Sequence, residues 1–357
     1  MKQRIIRTAV IGAGRIANDA HIPAIKALGS RVELTAVCSR SVASAEALAR
    51  AHGIPAWYTD SERMLREQCP DLVCVCTSNH SHGSLSRLAL ENGAHVVCEK
   101  PLSINYLEAK SLFDCAATSG RALVACQNMR FNPDVQMARD LVRRGELGDI
   151  YYAEFTQLRR RGIPDWGGFH RHAENVGGCM CDLGVHQLDA LLWILGNPGF
   201  KAITAFADTR IGNREPDDGI DRPLSFRPSD MDVEEFAAGS ITLDNGCHVN
   251  FKISWAINLP DERYMRLAGT KAGLSLPEGT VYTRFAGRQA NVKPIVAAQE
   301  RAWNAGHADM IRAMADHIQF GAPLPVLPEE TLNVTKILDA FYRSVAEHRE
   351  VRADEIS

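Results

Sequence analysis

The chain has 357 residues, 45% of them hydrophobic and 23% charged, an ordinary globular balance that excludes a mainly disordered protein. Its 40 Lys and Arg against 43 Asp and Glu leave a net charge of −3, which argues against a broad electrostatic surface for nucleic acid or an acidic membrane. A single core rarely grows past about 250–300 residues, so two domains are expected.

The N-terminus carries Lys2, Arg4 and Arg7 before a short apolar run, but Arg15 interrupts that run and no small-residue cleavage site follows, so the start reads as mature protein. Ile5–Ile11 reads as a buried strand and Gly12–Leu28 as a helix after a tight turn. Val32–Cys38 is a second strand, Val42–His52 and Ser61–Gln68 are helices, and Leu72–Thr77 is another apolar strand. His82–Asn92 (helix), His95–Cys98 (strand), Ile104–Ser119 (helix) and Ala122–Cys126 (strand) complete the alternation. Strands that are apolar throughout and separated by helices imply a doubly wound parallel sheet of α/β type, covered on both faces.

Past residue 130 the texture changes. Val135–Arg144 reads as a helix, Ile150–Gln157 as a strand and Cys179–Leu195 as an amphipathic helix. Phe236–Leu243, Cys247–Ser254 and Tyr264–Ala268 are strand-like, and helices close the chain at His307–Phe320 and Pro328–His348. This predicts an α+β domain with a large, open, mostly antiparallel sheet. The expected division is 1–128 for the first domain and 129–357 for the second. A polar, Pro-containing insertion spans Ile211–Asp230, and loops of that length are usually functional or mobile.

Several of the ten cysteines sit inside apolar runs, among them Cys74, Cys76 and Cys98, a pattern of buried thiols rather than a disulfide framework. No C-x-x-C pair offers zinc-ligand spacing, and no apolar stretch approaches the roughly 20 residues of a membrane span. The expectation is a cytoplasmic protein without a metal.

Gly12-Ala13-Gly14-Arg15-Ile16-Ala17 gives G-x-G-x-x-A between the first strand and a helix. Gly12 permits the tight turn, Gly14 lets backbone approach a pyrophosphate, and Ala17 allows close helix–strand packing; the helix N-terminus then faces the phosphates. Gly12, Gly14, Arg15 and Ile16 are therefore expected around a dinucleotide. An NAD enzyme normally carries an acid at the end of the second strand, about twenty residues on. Here Ser39 and Arg40 stand at that place, which favours NADP over NAD, although Arg40 stacked on adenine would fit either. Thr77 and Asn79 follow the strand Leu72–Cys76 at its ligand-facing end; the alternative is that they cap the next helix. His82, Glu99 and Lys100 are counted with them in the cofactor crevice.

Glu99-Lys100-Pro101 ends the strand His95–Cys98 and projects a cation toward that crevice. Further on, Gly177-Gly178-Cys179-Met180-Cys181-Asp182-Leu183-Gly184-Val185-His186 places Asp182 and His186 four apart on one helix face. These runs, with Arg130-Phe131-Asn132-Pro133 and the glycine turn, resemble the Gfo/Idh/MocA dehydrogenases (glucose–fructose oxidoreductase, inositol dehydrogenase and relatives) over nearly the whole chain. The resemblance implies a Rossmann domain, a second domain whose open sheet forms a homodimer or homotetramer, and NAD(P)-dependent oxidation or reduction of a sugar, glycoside or cyclitol. It carries the family's catalytic Lys, Asp and His onto Lys100, Asp182 and His186. The chemistry agrees. An imidazole titrates near pH 6.5 and suits a general base, the carboxylate orients it, and the ammonium stabilises charge on the reacting oxygen. Asp182 and His186 could instead form a metal pair completed by His170, His172 or Glu174, or a plain ion pair. Asn128, Arg130, Arg161, Trp166 and His170 are expected on the substrate side, with Trp166 stacking on a sugar face and Arg130 alternatively a structural ion pair. Two other functions on this fold stay open: a hydrolase or lyase using tightly held NAD transiently, and a non-catalytic cofactor-binding regulator.

Overall fold

The computed structural model describes residues 4–103, 105–214, 225–294 and 301–356. The chain forms two compact units, one of residues 1–131 with 300–332 and the other of 132–299 with 333–357.

The first unit is built on a six-stranded parallel sheet: β1 (Ile6–Ile11), β2 (Val32–Cys38), β3 (Ala56–Tyr58), β4 (Leu72–Val75), β5 (His95–Cys98) and β6 (Leu123–Ala125), in the order β3-β2-β1-β4-β5-β6. Side chains of β1 alternate between two cores. Ile6 and Val10 join Ile22, Ile25 and Leu48 on one face; Ala9 and Ile11 join Leu65, Leu90 and Leu112 on the other. Burial on both faces explains why these strands read as unbroken apolar runs. The helices between them carry ordinary end signals. Asp60 and Asn105 accept from Arg63 N and Glu108 N at the N-termini, and Gly53 and Gly120 close helices in the left-handed region.

Two features differ from the sequence reading. The three-residue β3, too short to show a pattern, was absent from it. The division at residue 128 also omits a return: Met310, Ile311 and Met314 of the helix Ala305–Phe320 lie in the first unit's core beside Ile22 and Ile25. That helix is amphipathic, and its apolar stripe completes a sheet face that the short helix Ile22–Lys26 covers only in part.

The second unit holds a nine-stranded sheet. Its strands are β7 (Ile150–Leu158), β8 (Phe200–Asp208), β9 (Phe236–Leu243), β10 (His248–Ser254), β11 (Glu262–Gly269), β12 (Gly273–Leu276), β13 (Thr280–Phe285), β14 (Arg288–Val292) and β15 (Val351–Arg352). The order is β14-β13-β12-β11-β7-β10-β9-β8-β15, and only β7 and β10 pair in parallel. Phe155 and Phe251 stack across that central pair at 5.5 Å, with Phe341 of the helix Pro328–Glu347 tilted against Phe251. Of the long insertion expected at 211–230, positions 215–224 lie outside the described residues; Pro228–Asp230 is a single 3₁₀ turn.

All ten cysteines are free. No helix among the described residues is long and apolar enough to cross a membrane.

His95 at the start of β5 gives a pH signature to the first unit. Its Nδ1 accepts from Ala122 N at 3.0 Å, and burial, reinforced by Arg121 and His317, pushes its pKa down to about 4. The unfolded chain protonates this ring first, from about pH 6.5, so stability is intact above that value and declines as pH falls toward about 4. Chemical-denaturation midpoints across pH 4–7 are expected to show this slope, and His95→Asn to flatten it.

Candidate functional site

In the first unit, the carboxyl edge of the parallel sheet gathers Gly12, Ser39, Thr77 and Lys100, each just past a strand. Gly12 has φ +114°, and a Cβ there would lie 2.2 Å from Cys76 O, so no other residue fits the turn. Gly14 is the opposite case: it is exposed, and a Cβ would meet nothing within 4 Å. That open backbone, at the start of a helical segment that includes a π turn at Ala17–His21, fits the pyrophosphate of a dinucleotide. Arg15, exposed beside it, contacts Asp19 Oδ2 at 3.3 Å, and Ile16 is half-buried against the core. Ser39 N bonds Tyr58 O, and Arg40 is exposed at the end of β2. Thr77 Oγ1 accepts from Ser81 Oγ at 2.8 Å, while Asn79 is buried at the head of a 3₁₀ turn.

Three of the expected site residues are buried and hold protein partners. His82 is fully buried, with Nδ1 2.7 Å from Pro101 O and Nε2 3.1 Å from Thr77 O. It ties the loop after β4 to the Lys100–Pro101 bond, a cis peptide, and burial lowers its pKa despite the two carbonyls. Glu99 is 6% exposed, and its Oε1 lies 2.6 Å from His21 Nε2 and 3.4 Å from His307 Nε2. Burial alone would raise its carboxyl, but the bonds from His21 and His307 offset this and hold it well below the usual carboxylate range. Arg130 is buried and ion-paired with Glu330, the structural role that the sequence left open. Asn128 Nδ2 faces the His307 ring at 3.2 Å. Lys100, next to Glu99, remains half-buried.

In the second unit the expected helix is irregular at its start. Met180–Gly184 forms a π turn, with Val185 N bonding Met180 O, before the α-helix Val185–Ile194 begins. The simple i,i+4 geometry expected for Asp182 and His186 therefore straddles a π-to-α junction, a feature common at functional sites. Asp182 Oδ2 accepts from Trp255 Nε1 at 2.9 Å, and Trp255 is wholly buried. The paired glycines let the chain pack closely. A Cβ on Gly178 would lie 1.8 Å from Glu234 O, and one on Gly177 would lie 2.0 Å from Tyr342 Oη. Glu234 caps the turn: Gly178 N donates to Oε2 at 2.8 Å, Met180 N to Oε1 at 3.0 Å, and Tyr342 Oη to Oε1 at 2.9 Å. Burial raises its pKa, opposed by these bonds.

An aromatic series runs outward from Asp182. Trp255 meets Phe169 edge-on at 6.4 Å, and Phe169 meets the exposed Trp166 at 6.3 Å. His170, by contrast, is buried and stacked on Phe226 at 3.8 Å, and Arg161 is tied to Asn258 Oδ1 at 2.9 Å and to Ile257 O. Among the described residues, Asp182 and His186 are not joined by His170, His172 or Glu174 in a metal-binding cluster.

A profile of the Gfo/Idh/MocA oxidoreductases, described as an NAD-binding Rossmann fold, matches residues 6–126, and a profile of the GFO/IDH/MocA C-terminal domain matches 135–275. A D-glucoside 3-dehydrogenase of Escherichia coli strain K12 is 32% identical over 342 residues, 95% of each chain. The chain belongs to the Gfo/Idh/MocA family. It is an NAD(P)-dependent oxidoreductase. A D-xylose 1-dehydrogenase (NADP(+)) of Haloferax volcanii is 27% identical over 97% of this chain and 99% of its own. A solved levoglucosan dehydrogenase, in complex with NADH and levoglucosan, shares the fold at 20% identity, with a TM-score of 0.84 over 98% of this chain and 100% of that one.

Within this Gfo/Idh/MocA chain, sequence reasoning missed Trp255, Glu234, Tyr342, His21 and His307. Each lies far along the chain from the motif it supports. Two signals were nevertheless present. Glu234 and Glu235 stand just before the strand at Phe236, and His21 is a polar residue within the apolar stretch Ala20–Ile25. Glu234→Ala leaves two buried backbone N–H groups without their acceptor and the Tyr342 phenol with only Cys181 Sγ, so it is expected to destabilise the protein by about 2–4 kcal/mol. Gly14→Ala, in open space, is expected to leave stability unchanged. Urea denaturation of both variants checks this.

Proposed function

We propose that the protein is a dehydrogenase that moves a hydride between NAD(P) and a secondary alcohol or ketone of a sugar, glycoside or cyclitol. Glucosides are the first substrates to try, since a D-glucoside 3-dehydrogenase is the 32%-identical relative. The observation that carries this reading is the Asp182 carboxylate, held at 2.9 Å by the buried Trp255 indole, with His186 four residues on across the π-to-α junction. In this reading His186 accepts the hydroxyl proton as the carbonyl forms, Asp182 orients the imidazole and binds a substrate hydroxyl, and Lys100 donates to the reacting oxygen. The bound nicotinamide supplies the hydride acceptor. Gly12, Gly14, Arg15, Ile16, Thr77 and Asn79 are the residues assigned to hold the dinucleotide. Trp166 and Phe169 offer flat faces for the C–H side of a pyranose ring. Ser39 and Arg40, in place of an acid after β2, support NADP over NAD.

The test is a screen of glucosides, free sugars and inositols for absorbance change with each cofactor. His186→Ala is expected to lower turnover about 10²–10⁴-fold. Dissociation constants for the cofactors should be unaltered, with NADP the tighter. Unchanged turnover removes His186 from the mechanism, and tenfold tighter NAD reverses the cofactor assignment.

The nine-stranded sheet exposes Tyr151, Phe206, Tyr282 and Phe285. These support self-association through that sheet, as the family resemblance implies. Light scattering is expected to give the mass of a dimer or tetramer; a monomer at micromolar concentration refutes it.

A further inference from the structure

Four side chains from four separate elements of the first unit converge in its interior, behind the turn that presents Lys100. They are His21 on the π turn after the glycine loop, Glu99 at the end of β5, Cys126 just past β6, and His307 in the first turn of the helix Ala305–Phe320. One donor atom from each lies within 4.8 Å of the other three. All four residues are buried, at 0%, 6%, 0% and 3% exposure in that order.

We propose that His21, Glu99, Cys126 and His307 form a structural zinc site. Two imidazoles, a thiol and a carboxylate are a borderline-soft donor set suited to zinc or cobalt; magnesium and calcium prefer all-oxygen shells. Charge balance points the same way. A divalent ion with one thiolate, one carboxylate and two neutral imidazoles sums to zero, the condition under which full burial costs least. Binding is balanced by release of the Cys126 thiol proton to water, with no change of oxidation state. The geometry is close to what is needed. Zinc with bonds of about 2.0–2.3 Å sets its four donors about 3.2–3.8 Å apart. The 2.6 Å contact between His21 and Glu99 therefore opens and the widest separation, up to 4.8 Å, contracts, each by about 1 Å.

Support for the ligands is already in place around part of the cluster. Asn128 faces the His307 ring, with Nδ2 3.2 Å from Nδ1 and Oδ1 buried without a hydrogen-bond partner among the described residues; turning that amide over makes Oδ1 the acceptor that the Nδ1–H of a metal-bound imidazole needs. His21 Nδ1 is buried without a hydrogen-bond partner among the described residues. The hydrogen bond from Nε2 to Glu99 thus leaves this ring half-satisfied. Four protein donors leave no open position, so the ion's role is to hold β5, β6 and two helices together, directly behind the turn that presents Lys100.

Nothing in this inference depends on the substrate or on the catalytic assignment, and its test is read without turnover. Untagged full-length protein, prepared without chelator from zinc-supplemented medium, is expected to carry about one zinc per chain by elemental analysis. Replacing zinc with Co²⁺ should give the visible bands of a tetrahedral cobalt–thiolate centre. Cys126→Ser and His307→Gln are each expected to lower zinc content more than tenfold, whereas Cys69→Ser, at an exposed thiol, retains it. Folded wild-type protein with less than a tenth of an equivalent of zinc and no cobalt bands overturns the proposal. Full zinc content in both ligand variants overturns it as well.

Discussion

Where the chain leaves β1 it passes so close to the carbonyl of Cys76 that a single added carbon would overlap it. The constraint is backbone against backbone, and no side-chain rearrangement relieves it. Gly12 therefore fixes how the first strand turns over the end of β4. That turn decides where the following helix begins and which peptide groups stand open at Gly14. A dinucleotide site needs its phosphate contacts supplied by main chain rather than by mobile side chains, and the open backbone at Gly14 is where the proposed site would take them. The other strand ends of the same sheet, at Ser39, Thr77 and Lys100, take their positions from the same parallel register.

The second unit meets a similar requirement by different means. Its catalytic candidates lie on a helix whose first turn is wound in π form, so the turn needs outside support. Glu234 accepts two of its peptide N–H groups, Tyr342 bonds the same carboxylate, and Trp255 holds Asp182. The glycines at 177 and 178 are the counterpart of that support, because a side chain at either would strike Tyr342 or the Glu234 backbone.

Much of this was legible in the sequence because the deciding signals are local. The parallel sheet followed from apolar runs separated by helices, and the glycine turn from spacing within six residues. The mixed sheet of the second unit followed from alternating strands such as Phe236–Leu243, which the structure reproduces at the same bounds. Local signals failed where the answer depends on distant chain. Glu99 and His82 sit beside a motif and read as ligand contacts, but nothing near them in sequence announces their buried partners His21, His307 and Pro101. Arg130 reads equally as a cleft cation or a structural ion pair until Glu330, two hundred residues on, is found beside it. No periodicity or spacing rule joins such pairs.

The helix that brings His307 also carries Met310, Ile311 and Met314 into the first unit's core. Its position so late in the chain imposes an order on biosynthesis. The amino-terminal sheet can assemble on the ribosome, but one face stays only partly covered until nearly the whole polypeptide has emerged, and domains usually fold as units during synthesis. A fragment cut after residue 131 would keep that partly bare face permanently, and would be a poor stand-in for the nucleotide-binding half of the enzyme.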